Sequence, residues 1–387
     1  MNKRRILLVM IEPPLPFGNA AARWFYVLLK GLAARGHSVT AFASCSRAED
    51  LEPARALFSP PEYDLRCYPC RERRNLVSKW QTLRQPYSYL LPEALCRDLA
   101  AELARGFDVL HLEQLWSGWA GLKYPAKAVL NIHYLFSVDL AEAEKRSVAD
   151  WLRFQRTVWA ERQLIRKYPH ICTLTPPLTE AVHKINPSAQ VYTVPLALDL
   201  ALYPFGERAD KMRDPVVSLI GSFHWQPSYA AGVRLLTRLW PEILRRVPGA
   251  RLHMVGRGAR RVFGRYESLP GVAIFEDVPD ARPYFAGSDV LLYAPPRGSG
   301  MKVKVLEAFA LGTPVVTTAT GAEGIPALDG VHASIGEEDE ELVGRTVALL
   351  NNPEARRRQG QAARRLLETR LNDRNSLDQL EAIYERL

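Results

Sequence analysis

The sequence predicts an α/β protein made of two Rossmann-like, doubly wound parallel-sheet domains that face a central cleft. Short apolar runs typical of buried strands alternate with helical segments along nearly the whole chain. The alternation is interrupted at 199–215, where charges, Gly and Pro follow one another without a period, as in a linker. In addition, 387 residues exceed what one hydrophobic core usually supports.

The first half, 1–198, is predicted to form one Rossmann-like domain. It opens with a βαβ unit whose helix ends at Arg35-Gly36, and Gly18 and Asn19 lie in the strand-to-helix turn where such sheets bind ligands. The apolar runs predict strands at 5–10, 37–43, 64–68, 109–112, 129–133, 171–174 and 191–194, with helices at 91–105, 138–167 and 177–185.

The second half, 216–370, repeats the first in kind, and a terminal helix in 371–387 is expected to pack back towards the first domain. Ligands bind outside the carboxyl ends of the strands in this architecture, so the cleft between the domains is the expected site. The predicted strands are 216–220, 251–255, 272–275, 290–293, 314–318 and 331–335, and the helices are 228–247, 301–311, 339–351 and 353–369.

Charge and cysteine content narrow the functional classes. The excess of 51 Lys+Arg over 42 Asp+Glu, a net charge of +9, fits anionic partners such as nucleotides or phospholipid head groups. Five cysteines, an odd number, argue for a reducing, cytoplasmic location rather than a disulfide framework. The pair Cys67 and Cys70 has no second pair or nearby His, so we expect no metal there. No apolar stretch is long enough to span a bilayer.

The stretch 295–324 carries the strongest functional signal. Its helix is apolar on nearly every side, so its charged residues Lys304 and Glu307, three positions apart, need a partner or a ligand. The preceding Gly298, Ser299 and Gly300 let backbone amides approach an anion at the positive end of the helix dipole. Such a site suits a phosphorylated ligand, but a buried helix with an internal Lys–Glu pair would leave the same pattern.

The second half also resembles a known enzyme family. The segments GSFHWQPSYAAGVRLLTRLWPEILRRVPGARLHMVGRG and GVAIFEDVPDARPYFAGSDVLLYAPPRGSGMKVKVLEAFALGTPVVTTATGAEGI are similar to those of the retaining, sugar-nucleotide-dependent glycosyltransferases of family four, which have the B-type two-domain fold (GT-B). The resemblance covers about 216–370 well. In the first half it is looser and includes the Gly-containing first loop, LLKGLAARGHSVT and a His after a later strand.

The resemblance implies roles for individual residues. Glu307 matches a glutamate that holds the nucleotide ribose, whereas the position of a second glutamate, which contacts the donor sugar in many relatives, is Ser299 here. Gly221 and Ser222 stand where many relatives carry Arg and Lys, which leaves the diphosphate to Lys304, aided by Lys302 and the amides of Ser299 and Gly300. Further donor-binding residues implied by the family are Gly18 and Asn19 in the first loop, His133 near the sugar, and Glu276 and Val278 near the base.

The resemblance thus implies transfer of a sugar from a nucleoside-diphosphate sugar to a carbohydrate or lipid-linked acceptor, with retention, in polysaccharide or glycoconjugate biosynthesis. Lys304 and His133 are the expected catalytic residues, and we expect no metal, no cofactor and no nucleic-acid partner. Two alternatives remain open at this point. One is a sugar-nucleotide 2-epimerase of the same architecture, and the other is a noncatalytic protein that binds anionic surfaces through its net charge of +9.

Two stretches mix basic and aromatic residues. In 71–88 and 145–168, Arg and Lys alternate with Trp, Phe and Tyr. Such stretches can rest on an anionic membrane, which would make the protein peripheral on the inner membrane face. Packing of an amphipathic helix on the core of the first domain produces the same pattern, and we favour that interpretation from the sequence.

Overall fold

The computed structural model describes residues 3–70, 82, 84–141, 147–206 and 214–387. The chain divides into two compact units: Met1–Ala197 with Asp373–Leu387, and Leu198–Asn372. Each unit contains one parallel sheet, which confirms the predicted class of two Rossmann-like domains. Of the predicted linker, 199–206 belong to the second unit, and 207–213 lie outside the described residues.

In the described part of the N-terminal unit, seven parallel strands form a sheet of order β3-β2-β1-β4-β5-β6-β7. The chain therefore reverses its direction of progress across the sheet between β1 and β4, which is the switch point of a doubly wound fold. The strands are β1 (Arg5–Met10), β2 (Ser38–Cys45), β3 (Asp64–Pro69), β4 (Val109–Glu113), β5 (Ala128–Ile132), β6 (His170–Thr173) and β7 (Gln190–Thr193).

Helices join these strands because parallel neighbours need a crossover connection. β1, β4 and β5 are buried along almost their entire length, so their hydrophobicity is nearly continuous rather than alternating. The helices are α1 (Ala20–Ala34), α2 (Leu51–Leu57), α3 (Glu93–Ala104), α4 (Phe136–Asp139), α5 (Val148–Ile165) and α6 (Pro176–Ile185).

The terminal helix, Asp373–Tyr384, belongs to the N-terminal unit and packs on α1. Gly31 makes this contact close, since a Cβ there would lie 2.3 Å from a methyl carbon of Leu377. Glu381 is buried, and it pairs with Arg35 and lies 2.8 Å from His37 Nε2. Apolar packing and buried polar contacts therefore both hold the helix in place.

The described residues of the C-terminal unit form six parallel strands in the order β10-β9-β8-β11-β12-β13, with the switch point between β8 and β11. The strands are β8 (Val216–Ile220), β9 (Arg251–Gly256), β10 (Val272–Glu276), β11 (Val290–Tyr293), β12 (Val315–Thr317) and β13 (Ser334–Ile335). The helices are α7 (Gln226–Arg234), α8 (Trp240–Arg246), α9 (Ala259–Phe263), α10 (Arg282–Gly287), α11 (Val303–Ala310), α12 (Asp339–Leu350) and α13 (Pro353–Thr369).

Several predicted elements differ from those observed. The helix predicted at 228–247 is two α-helices joined by a π-helical turn, Leu235–Leu239, because Pro241 lacks the N–H that would continue the α-helical pattern. The predicted strand 331–335 is reduced to Ser334–Ile335. The helix predicted at 138–167 is α4 and α5, with 142–146 outside the described residues. Short helices α2, α9 and α10 were not predicted, since each is too short to show a clear period.

Removing the Leu380 side chain tests whether the terminal helix stabilises the N-terminal unit. Leu380 is fully buried, so Leu380→Ala should cost about 2–5 kcal/mol of unfolding free energy through lost contacts and a cavity. Hydrogen exchange should then become faster in the N-terminal unit and stay unchanged in the C-terminal unit. The control is Gln379→Ala at an exposed position of the same helix, and equal exchange in both variants would contradict the prediction.

Candidate functional site

Lys304 points into the C-terminal unit, towards the end of β8. Its Nζ donates a hydrogen bond of 2.6 Å to Ser228 Oγ and lies 4.0 Å from the centroid of the Tyr293 ring. Gly221 is its other neighbour: a Cβ built there would lie 2.9 Å from Lys304 Nζ. The structure thus brings together two residues that the sequence predicted separately, Lys304 and Gly221, at the switch point between β8 and β11.

The surroundings of Lys304 destabilise its charged form. Burial and, to a smaller extent, the nearby charge of Lys302 lower its pKa, Glu307 acts against both, and the resulting pKa is about 7. A group with such a pKa is half protonated near neutral pH, and an anion placed beside it would restore the ammonium. Lys304 is therefore suited to bind an anion.

The loop before α11 is held together by its own polar groups. Lys302 Nζ donates to the carbonyl oxygens of Ser299 (3.2 Å) and Gly300 (2.5 Å). The Gly300 amide, in turn, donates to Glu323 Oε1 at 3.1 Å, and Glu323 Oε2 lies 3.7 Å from Lys302 Nζ. Lys302 and Gly300, both predicted to bind the diphosphate, thus contact the loop and the Glu323 carboxylate in this structure.

Glu307 lies on α11 and is only 4% exposed. Its carboxylate oxygen Oε1 accepts a hydrogen bond of 3.4 Å from the hydroxyl of Tyr203. Tyr203 follows a short helical turn, Leu200–Leu202, inside the segment that the sequence predicted to be a linker. It is thus a neighbour of Glu307 that sequence reasoning missed.

The loops after β8 and β9 touch through their backbones. Gly221 donates its amide to the Val255 carbonyl, and a Cβ on Gly256 would lie 2.1 Å from the Gly221 carbonyl oxygen. Gly256 also has φ of +125°, so both the backbone conformation and the lack of space for a Cβ require glycine at this position. This contact shapes the backbone around Gly221 and Ser222.

Glu276 and Val278 lie at the carboxyl end of β10, two strands away from β8 and Gly221 in the C-terminal sheet. Glu276 ends β10, which is separated from β8 by β9, and its Oε1 accepts from the Arg261 amide at 3.2 Å. Asp277, between the two predicted residues, has φ of +48°, which marks a sharp turn directly after the strand.

In the N-terminal unit, Gly18 and Asn19 form the start of α1. Gly18 has φ of +106°, and Asn19 Oδ1 accepts from the Ala22 amide at 2.9 Å, as an N-cap does. Asn19 Nδ2 also donates to Glu12. The structure therefore shows a capping role for Asn19, and its contact with a ligand stays a prediction.

His133 directly follows β5 and contacts a buried carboxylate. Its Nε2 lies 2.7 Å from Glu113 Oε2, and its ring packs against Phe25. Glu113 is the last residue of β4 and is fully buried. Three further side chains surround this carboxylate: Trp24 Nε1 at 3.1 Å, Asn131 Nδ2 at 3.1 and 3.2 Å, and His111 Nε2 at 2.9 Å.

The Glu113 carboxylate stays ionised in spite of its position. Burial acts to raise its pKa, but the close polar contacts with His111 and His133 hold the pKa well below its usual range. Sequence reasoning missed Glu113, although a signal exists: His111 and Glu113 alternate in an otherwise apolar strand and so point to one face.

The basic and aromatic helix packs on the core of the domain through its C-terminal part, as predicted, but not through its N-terminal part. Val148, Trp151, Leu152 and Trp159 of α5 are 75%, 50%, 56% and 58% exposed, whereas Ala160, Glu161, Leu164 and Ile165 are its buried residues. The predicted packing on the core therefore accounts for Leu164, Ile165 and the following Tyr168, but it does not account for Trp151 and Trp159. Most of the other basic and aromatic stretch, 71–88, lies outside the described residues.

Two features are absent from the described residues. Within these ranges no group of three or more His, Cys, Asp or Glu side chains could hold a metal ion. None of the helices seen in the same ranges has the length and apolar character to cross a membrane.

Comparisons with known proteins match both units. Residues 21–202 match the model "Glycosyltransferase Family 4", and residues 214–352 match "Glycosyl transferases group 1". No curated protein matches the chain in sequence.

Solved structures match the fold over its whole length. Sucrose-phosphate synthase from Thermosynechococcus elongatus superposes with a TM-score of 0.73 at 17% identity, covering 99% of each chain. HepE of Anabaena in complex with UDP and glucose gives 0.72 at 12% identity, covering 99% of this chain and 100% of HepE. WaaG, a glycosyltransferase involved in lipopolysaccharide biosynthesis, gives 0.67 at 17% identity, covering 98% of this chain and 99% of WaaG.

Proposed function

Because the chain belongs to the glycosyltransferases of family 4 and group 1, we propose that it transfers a sugar from a nucleoside-diphosphate sugar to an acceptor hydroxyl. The observation that carries this proposal is the placement of Lys304. Its ammonium lies at the switch point of the C-terminal sheet, next to the backbone of Gly221, where α/β proteins bind nucleotides. HepE, which has the same fold, binds UDP, so UDP is the first nucleotide to test.

In this proposal each predicted residue has a role near the donor. Lys304 binds the diphosphate with the amides of Gly221 and Ser222, and Glu307 binds the ribose hydroxyls. Lys302 shapes the loop 298–302 through its carbonyl contacts and adds positive charge nearby. The remaining predicted contacts are Ser299 and Gly300 at the diphosphate, Glu276 and Val278 at the base, and Gly18, Asn19 and His133 on the side of the sugar.

The chemistry follows from charge. As the glycosidic bond breaks, negative charge grows on the leaving diphosphate, and a positioned ammonium stabilises that charge more than it stabilises the intact donor. The acceptor oxygen forms the new bond at the anomeric carbon, and the leaving phosphate takes its proton. Transfer on the front face in this way retains the anomeric configuration, and it needs neither a metal nor a further cofactor.

We further propose that the acceptor is lipid-linked or carbohydrate and that the protein is peripheral on the cytoplasmic face of a membrane. Val148, Leu152 and Trp159 lie at i, i+4 and i+11 of α5, so they share one exposed helical face. Arg153, Arg162 and Lys167 are exposed on or directly after the same helix. An apolar face bordered by basic residues fits the surface of an anionic bilayer.

Lys304→Met should abolish nucleotide binding without unfolding the protein. Methionine keeps most of the length of the side chain and removes a charge whose burial is unfavourable, so the fold should be retained. In a thermal-shift panel of UDP-, GDP- and TDP-sugars, at least one donor should stabilise the wild type, and none should stabilise Lys304→Met.

The exposed Lys123 provides the control, because Lys123→Met should bind nucleotide like the wild type. No shift of the wild type with any nucleotide would refute the proposed function. Equal shifts in both lysine variants would place the diphosphate elsewhere. Conversion of the donor into an isomer in the absence of acceptor would favour the epimerase alternative.

Nucleotide binding should also take up a proton. Lys304, with a pKa of about 7, is mostly neutral at pH 8.5 in the free protein, and a diphosphate should raise that pKa because it favours the ammonium. The affinity for UDP should therefore fall by up to about tenfold per pH unit above pH 7. Calorimetry at pH 8.5 in buffers of different ionisation enthalpy should show uptake of nearly one proton; a buffer-independent enthalpy would contradict this.

The exposed apolar face of α5 should drive membrane binding. In co-sedimentation with phosphatidylglycerol vesicles, the double variant Leu152→Ser/Trp159→Ser should bind about tenfold more weakly or worse, because the apolar contact is lost. The matched control is Tyr229→Ser/Leu328→Ser, which removes two exposed apolar side chains of the C-terminal unit. The membrane proposal fails if both double variants bind like the wild type.

A further inference from the structure

The carboxylate of Glu113 lies at the centre of a polar cluster in an otherwise apolar region of the N-terminal sheet. Trp24 and Asn131 hydrogen-bond to it through groups that can only donate, the indole N–H and the amide NH₂. Asn131 donates to Oε2 as well as to Oε1, so both oxygens act as acceptors, and this favours the anion over the protonated acid. A fully buried anion is expensive, and it is expected only where its partners need it.

Short polar contacts link Tyr384, His111 and Glu113. Tyr384 Oη and His111 Nδ1 lie 2.5 Å apart and are hydrogen-bonded, whereas His111 Nε2 lies 2.9 Å from Glu113 Oε1 in a geometry that does not make a hydrogen bond. If the Tyr384 hydroxyl donates to Nδ1, His111 carries its proton on Nε2, facing the carboxylate. Glu113 then has Oε2 for His133 Nε2, at 2.7 Å. This arrangement is consistent with a hydrogen bond in which His133 Nε2–H donates to Glu113.

His133 is the member of the cluster nearest the outside. Glu113 and His111 are fully buried within β4, whereas His133 follows the end of β5 and is 6% exposed. β4 and β5 are neighbours in the sheet, and β4 is one of the two strands at the switch point. The cluster thus connects the sheet interior with a residue at the carboxyl edge, where ligands bind in this architecture.

Backbone strain marks the same place. Gln114, directly after Glu113, has φ of +67° and ψ of +149°, a combination that L-residues rarely adopt. Strain of this kind persists only where the surrounding structure holds it, and it is common at functional sites. Here it ends β4 at Glu113, so that the chain turns away directly after the carboxylate.

We infer that Glu113 is the positioning residue of His133: its carboxylate holds the imidazole as the Nε2-protonated tautomer and turns Nδ1 towards a hydroxyl of the sugar substrate. With Nε2–H committed to Glu113, Nδ1 of the neutral ring is a hydrogen-bond acceptor. An acceptor in that position orients a hydroxyl and excludes the other tautomer, which would present a donor. The inference rests on the proposed function for its substrate, but the tautomer can be tested without it.

The first test is spectroscopic. With [15N]histidine-labelled protein, long-range 15N–1H spectra report which ring nitrogen carries the proton, and His133→Gln assigns the signals. In the wild type, His133 should show a protonated Nε2 and a bare Nδ1. Glu113→Gln keeps the volume but removes the anion, so the single tautomer should give way to a mixture. An unchanged tautomer in Glu113→Gln would overturn the inference.

The second test is kinetic and uses the donor that stabilises the wild type most. Glu113→Gln should lower kcat by about tenfold or more and leave the donor KM within about threefold, because Glu113 has no proposed contact with the nucleotide. The double variant Glu113→Gln/His133→Gln should be no slower than His133→Gln alone, since Glu113 acts through His133. Additive losses would overturn the inference.

The control is another buried glutamate in the same unit. Glu102 is 4% exposed and pairs with Arg5 at 2.6 Å, and Glu102→Gln should leave both the His133 tautomer and kcat unchanged. Failure of Glu113→Gln to fold would overturn the inference, because the carboxylate would then serve sheet stability. If no nucleotide binds the wild type, the proposed function fails, and the tautomer result alone decides whether Glu113 positions His133.

Discussion

The burial of the Lys304 ammonium is the physical constraint on which the candidate anion site of this structure depends. The helix that carries it is almost entirely apolar, and the pKa of Lys304 is lowered to about 7 because its charged form is poorly solvated there. One hydroxyl, one aromatic ring and a glycine backbone surround the Nζ atom. Such surroundings favour an anionic ligand, whose charge would stabilise the ammonium better than the protein alone does.

The charged groups at the switch points of the two sheets have opposite sign. At the C-terminal switch point, glycine backbones and a lysine leave room and positive charge beside β8 and β11. At the N-terminal switch point, the buried anion Glu113 is surrounded by donors, among them His133 at the edge of the sheet. The first arrangement suits a phosphate and the second orients a polar side chain.

Packing within the N-terminal unit links distant parts of the sequence to this cluster. Tyr384 reaches His111 from the terminal helix, 273 positions away in the chain. Gly31 and Leu377 allow that helix to approach α1 closely, and α1 also carries Trp24. The last residues of the chain therefore contribute both to the stability of the N-terminal unit and to the arrangement of its polar centre.

The sequence alone determined the fold class, the strands near both switch points and the Gly-rich loop before Lys304, because apolar periodicity and glycine positions are local signals. Only the tertiary structure decided which polar residues meet: Glu113 with His133, Glu307 with Tyr203, and Glu323 with Gly300. It also decided that Trp151 and Trp159 face outward. Partners of this kind come from strands and loops far apart in the chain, and no local pattern encodes which of them the folded sheet will bring together.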